Sequence, residues 1–230
     1  MSIRKAVRAA VAALIAVGAV SAAAPVVATA ATPACGQYCI GVFSDELGTY
    51  ASPNFVEHVF GGKAEVGTET GLNAASGSDS SEDFINPHQG YVSDYYKLGL
   101  VSAEVNRHYG TLKASQLEYA PLGMPTGLCV GVPTAPFQGE PLSLQSCGIP
   151  GRTVWIIGTS LSPATASMGF FPIVSGATTD FSRPFAMSYP RHVDTNEMLP
   201  PIRLRHLQFP GPARALPATQ LWGVTLGPLQ

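Results

Sequence analysis

The sequence predicts a mainly β domain of three degenerate repeats with one short helical insertion, and three observations lead there. First, 24 glycines and 20 prolines are spread along the 230 residues instead of gathering in one linker, which breaks long helices and favours short strands joined by turns. Second, the apolar runs have strand length and strand period. Leu142-Ser143-Leu144-Gln145 alternates, Val154-Trp155-Ile156-Ile157 is a short buried-type run, and Ile202-Arg203-Leu204-Arg205 alternates with its arginines outward. Third, the chain resembles itself: Tyr38-Cys39-Ile40-Gly41-Val42 and Leu128-Cys129-Val130-Gly131-Val132 are near copies.

Read in order, the N-terminus comes first. Arg4, Lys5 and Arg8 precede an uncharged Ala/Val/Leu run from Ala9 to Ala24, and Ala28-Thr29-Ala30 has the small-residue spacing of a peptidase site. This is the pattern of a secretory signal peptide over 1–30, cleaved near Ala30. The run is too poor in Leu, Ile and Phe for a membrane anchor, so a secreted, extracellular chain is expected, with no membrane partner after cleavage. One domain over 31–230 is of ordinary size. Removing the three basic residues takes the formal net charge from −2 to −5, and with 12% charged residues nothing attracts nucleic acid or anionic lipid.

The repeats are placed at about 35–86, 126–158 and 170–225, with an insertion at about 87–122. Each repeat is read as a strand, a glycine-containing turn, an alternating strand and an aromatic-ended strand, the aromatics being Phe84, Trp155 and Trp222. A further excursion falls at 159–168. Within the main insertion, Leu98, Val101 and Val105 share a helical face and Ser102 is suited to cap a second short helix. At that spacing one of Tyr95 and Tyr96 belongs in a core; the pair is also a candidate for stacking on a sugar ring.

All four cysteines, Cys35, Cys39, Cys129 and Cys147, follow the signal segment, and an even count in an exported chain implies structural disulfides. Three pairings are possible; the local one, Cys35 with Cys39 and Cys129 with Cys147, fits the spacing best. Neither pair has a redox or zinc spacing, so no metal and no cofactor is expected.

These residues bring a family into view. The segment 128–157 resembles one repeat of a ricin B-type lectin domain through Cys129, Gly139, Leu142, Leu144, Cys147 and Trp155, and Gln220-Leu221-Trp222 has that family's Gln-x-Trp form. The resemblance implies a β-trefoil, three units sharing one pseudo-threefold core; a β-sandwich is the alternative fold. It also implies a lectin-like module that takes an extracellular polysaccharide or glycan. A site of that kind pairs a carboxylate with an amide, and the carboxylate positions hold Gly41, Gly131 and Ile173. Asp180 and Gln220 are therefore the candidate carbohydrate-binding residues.

Catalytic motifs do not appear: no nucleophile elbow, zinc-protease helix, phosphate loop or dinucleotide fingerprint. His58, His88, His108, His192 and His206 are scattered and read as structural or surface residues. The run Ser76-Gly77-Ser78-Asp79-Ser80-Ser81-Glu82-Asp83 has carboxylates without calcium-loop spacing and reads as a solvated turn. Arg203, Arg205 and His206, with Arg191 upstream, read as the wet face of a strand or a stripe for anionic polysaccharide. A non-catalytic binding module is the leading expectation. The alternatives are a secreted hydrolase using Asp94, Glu104 and His108 of the insertion, and a protein-binding scaffold or inhibitor that has lost sugar binding.

Overall fold

The computed structural model describes residues 39–45, 55–76, 78–88, 90–189, 201–208 and 216–226. The signal segment, Cys35, Arg191 and His192 lie outside them.

Three units of four strands follow one another. The first is β1 (Ile40–Ser44), β2 (Phe55–Val59), β3 (Thr70–Ala74) and β4 (Phe84–Ile85). An excursion then intervenes: β5 (Gly90–Tyr91), α1 (Val92–Lys97), α2 (Ala103–Tyr109) and β6 (Lys113–Ser115). The second unit is β7 (Glu118–Tyr119), β8 (Leu128–Gly131), β9 (Ser143–Ser146) and β10 (Trp155–Ile157). After α3 (Pro163–Ala166) comes the third unit: β11 (Ile173–Ser175), β12 (Phe185–Ser188), β13 (Arg203–His206) and β14 (Trp222–Leu226).

The pairing between units makes this a trefoil. The fourth strand of each unit pairs with the first strand of the next, in β4–β7, β10–β11 and β14–β1. Bridges Cys39↔Ile85 and Phe171↔Trp222 tie first to fourth strands within units one and three. In unit two the bent segment 113–119 does this, pairing with β10 through β6 and with β4 through β7. The first and fourth strands of the units thus form a closed ring. Across it lie three hairpins, β2–β3, β8–β9 and β12–β13, that hydrogen-bond in a cycle: Thr70 N–H to Leu142 O at 3.0 Å, Leu142 N–H to Ile202 O at 2.8 Å, and Ile202 N–H to Thr70 O at 3.0 Å. That cycle marks the pseudo-threefold axis.

Side chains facing the ring form one core holding Leu72, Phe84, Leu142, Leu144, Trp155, Ile202, Leu204 and Trp222. Because strand side chains alternate faces, Ile156 and Val174 point the other way and meet Val92, Tyr95, Val101 and Val105 of the excursion in a second cluster. The excursion is therefore a cover for the outer face of the six-stranded sheet β13-β12-β11-β10-β6-β5, fixed to it by β6 on β10. Ser102 caps α2, its Oγ accepting from Val105 N–H at 3.1 Å.

Several expectations are corrected. The copies 38–42 and 128–132 are not equivalent, since the first contributes β1 and the second β8, a second strand. Two strands with similar composition are indistinguishable until their partners are known. β7 falls inside the stretch read as insertion, because its two residues carry no strand-length period of their own. Leu98 is 58% exposed: α1 ends at Lys97 and Gly99 turns the chain at φ 74°, so 98, 101 and 105 span two helices and share no face.

Candidate functional site

Register defines which residues of the three units correspond. Leu72, Leu144 and Leu204 face Glu57, Val130 and Met187 across their hairpins. The indole N–H groups of Trp155 and Trp222 donate to the Val130 and Met187 carbonyls at 2.9 and 3.0 Å. Phe84 holds the corresponding place in unit one, and all three aromatics are buried.

The residue two places before each aromatic also has one job. Gln220 Oε1 accepts from Gln208 N–H at 2.9 Å, and its amide donates to His206 O at 3.0 Å. Glu82 Oε2 accepts from Ser76 N–H at 3.2 Å, and Thr153 Oγ1 donates to Cys147 O at 3.0 Å. Each clasps the segment that leaves its third strand. Gln220 is 1% exposed and its amide is spent on backbone, so a hydrogen-bonding role toward sugar is replaced by a structural one. Asp180 is spent locally: it accepts from Ser182 Oγ at 2.7 Å and from Ser182 and Arg183 N–H at 3.0 Å. These bonds hold its carboxyl below the usual range. No hydrogen bond joins it to Gln220.

Unit one carries a cluster of buried polar groups around His58. His58 Nδ1 lies 2.7 Å from Ser81 Oγ and 3.7 Å from Asp79 Oδ2, and Nε2 lies 3.3 Å from Glu82 Oε2. The run 76–83 is thus only partly a solvated turn: Ser81, Glu82 and Asp83 are buried, packed against β2. A serine, a histidine and a carboxylate in contact have the composition of a nucleophilic relay. Here Ser81 is 8% and His58 2% exposed, and Ser81 and Glu82 are neighbours on one 3-10 turn, Ser80–Glu82. These contacts pin the turn to β2. Sequence reasoning missed them because residues 58 and 81 are joined only by the fold.

Glu57 points into the main core. It accepts from Thr70 Oγ1 at 3.0 Å, while its Oε2 is buried without a hydrogen-bond partner. Burial pushes its pKa up to about 7, partly opposed by the Thr70 hydrogen bond.

Among the candidates in the insertion, Asp94 is occupied by Lys97 and by Tyr91 N–H, and Glu104 by Arg107. His108 stacks on Phe181 at 4.0 Å. Among the described residues no side-chain hydrogen bond or ion pair joins two of the three. Tyr95 is core and Tyr96 is exposed. Among the described residues, no group of His, Cys, Asp or Glu is placed to hold a metal ion. Arg203 donates to Gly139 O at 2.8 Å, and His206 stacks on Phe185. The Cys129–Cys147 disulfide is formed, and Cys39 is also disulfide-bonded.

A cleft of about 530 Å³ opens where the excursion meets the trefoil. Four segments line it: 99–102 between α1 and α2, 134–136 in the β8–β9 loop, 150–152 before β10, and 176–179 after β11. Gly151 N–H donates to Leu100 O at 2.7 Å and so joins excursion to trefoil at the rim. Polar groups on the wall include Ser102, Thr134, Thr178, Thr179 and Arg152, beside the apolar Val101, Pro136 and Pro150. Sequence reasoning missed this site, since the four segments hold no shared motif and meet only in space.

No protein-family model matches the chain, and no curated protein does. Solved structures resemble it in strand arrangement. A designed threefold-symmetric protein, ThreeFoil, has a TM-score of 0.47 and 10% identity, covering 81% of this chain and 96% of its own. The Macrolepiota procera ricin B-like lectin, in complex with lactose, has a TM-score of 0.46 and 14% identity, covering 81% and 94%. A proteinase inhibitor from Coprinopsis cinerea has a TM-score of 0.42 and 15% identity, covering 81% and 95%. The chain has the form of a β-trefoil, and its own cyclic strand pairing carries that assignment.

Proposed function

We propose that this protein is a secreted, lectin-like binding module that takes carbohydrate in the cleft between the excursion and the trefoil. The lining of that cleft carries the reading. Hydroxyls, exposed backbone and small apolar surfaces suit a polyhydroxyl ligand, whose groups need donors and acceptors at once. Its volume is in the range of small-ligand sites. The lining contains no carboxylate and no histidine, so it offers no acid–base pair for turnover, which favours binding there. The test is a glycan-array and insoluble-polysaccharide screen on the oxidised protein, with Ala135→Trp as a variant that fills the cleft. Retention lost in that variant supports the reading; retention equal in both forms, or none on any matrix, defeats it.

A second reading, a protein-docking scaffold, is favoured by one observation. Leu122 is a non-glycine residue at φ 56° and is 61% exposed, beside Met124, also 61% exposed. Asp83 Oδ2 accepts from Leu122 N–H at 2.9 Å and holds the loop in this unfavourable shape. Pull-down from culture supernatant with Leu122→Asp as control separates the readings: a partner lost in that variant places function on this loop.

A further inference from the structure

The proposed cleft contains one charged side chain, Arg152. It is half-buried, and one of its guanidinium N–H groups donates to Pro133 O. That bond fixes the side chain beside the cleft and leaves further donors of the fork uncommitted. Among the described residues no carboxylate pairs with it, although the chain is acidic and elsewhere pairs Arg107 with Glu104 and Lys97 with Asp94. Two hydroxyls stand on the same wall with capacity to spare. Thr179 has no hydrogen-bond partner among the described residues. Ser102 Oγ accepts from Val105 N–H and keeps its own proton to donate.

We infer that the ligand of the cleft is an anionic saccharide whose carboxylate is held by the Arg152 guanidinium. This rests on the carbohydrate reading above and narrows it. A planar carboxylate matches the guanidinium fork with two parallel hydrogen bonds, and Ser102 and Thr179 then face ring hydroxyls. A neutral sugar leaves the fork to water. The saccharide carboxylate takes the role that an acidic partner in the chain does not fill.

Titration calorimetry with digalacturonate and its neutral counterpart, digalactose, tests this on the oxidised full chain. The acidic dimer is expected to bind about 10- to 100-fold more tightly at low salt, the scale of a charge-assisted pair. Raising salt weakens the acidic dimer alone. Arg152→Gln erases the preference, since glutamine supplies neither the charge nor the guanidinium fork. Arg152→Lys keeps the charge without the fork and is expected to fall between, which preserves the test if the glutamine variant unfolds. A sulfated dimer distinguishes carboxylate from charge in general: equal binding of the two anions overturns the carboxylate assignment. Equal binding of acidic and neutral dimers by the native chain, or a preference surviving Arg152→Gln, overturns the inference while leaving the cleft a sugar site. Failure of both dimers to bind overturns the inference, and if the polysaccharide screen is also blank the carbohydrate reading falls with it.

Discussion

Glu57 is a carboxyl buried in an apolar core with a single hydroxyl to bond it. Unfolded, it titrates near 4.5; folded, burial moves it to about 7. Between those values the folded state keeps a proton that the unfolded state has released. Stability from this group is therefore full below about pH 4.5, falls as pH rises toward 7, and is level above, a loss of about 3 kcal/mol. Denaturant titrations at pH 5 and pH 8 are expected to show this slope in the native chain and a flatter one in Glu57→Gln. Gln220 illustrates the opposite case, a polar group fully satisfied. Gln220→Ala orphans Gln208 N–H and His206 O and is expected to cost about 2 to 3 kcal/mol, read by chemical denaturation. A variant of unchanged stability contradicts the clasp.

At the scale of elements, the β8–β9 hairpin is closed by Cys129–Cys147, with 18 residues of separation. Disulfides of this loop length stabilise by about 3 kcal/mol, chiefly by restricting the unfolded chain. The double variant Cys129→Ala with Cys147→Ala is expected to lose about that much at unchanged secondary structure, measured by denaturation and circular dichroism. The three hairpins differ where β2–β3 contributes Glu57 and Thr70 in the places of Val130 with Leu142 and Met187 with Ile202. Replacing the polar pair by apolar side chains of similar size, Glu57→Met together with Thr70→Leu, is expected to raise stability at pH 8 by about 1 to 4 kcal/mol. Glu57→Met alone leaves the Thr70 hydroxyl without its acceptor and gains less. A double variant less stable than either single one shows that the polar pair is needed for packing.

For the whole molecule, stability is shared by two cores on the two faces of one sheet. Trp155 lies on the strand that pairs unit two with unit three, buried to 1% and bonded to Val130 O. Trp155→Ala is expected to cost about 3 to 5 kcal/mol as a large core truncation; intrinsic fluorescence quenched by iodide in the native chain would contradict its burial. Much of this architecture was legible. The alternation of 142–145 and 202–205, the aromatic ends of the units, Ser102 as a cap and the 129–147 disulfide are all written within short stretches. The candidate site was not legible. Gln220 follows from the Gln-x-Trp form and Asp180 from the need for an acidic partner, and the fold uses both for local or backbone hydrogen bonds.

Mainly β character, strand-length runs, short capped helices and three aromatic-ended units follow from the sequence by itself, because period, turn propensity and capping depend on residues near one another in the chain. The tertiary structure alone decided which strand of its unit each run supplies, since that depends on a partner far away in sequence. It also decided that Ser81, Glu82 and Asp83 are buried: a polar turn reads the same whether it meets water or His58. The cleft around Arg152 belongs to the same class, for its four walls come from segments between residues 99 and 179 that become neighbours only when the excursion packs on the six-stranded sheet.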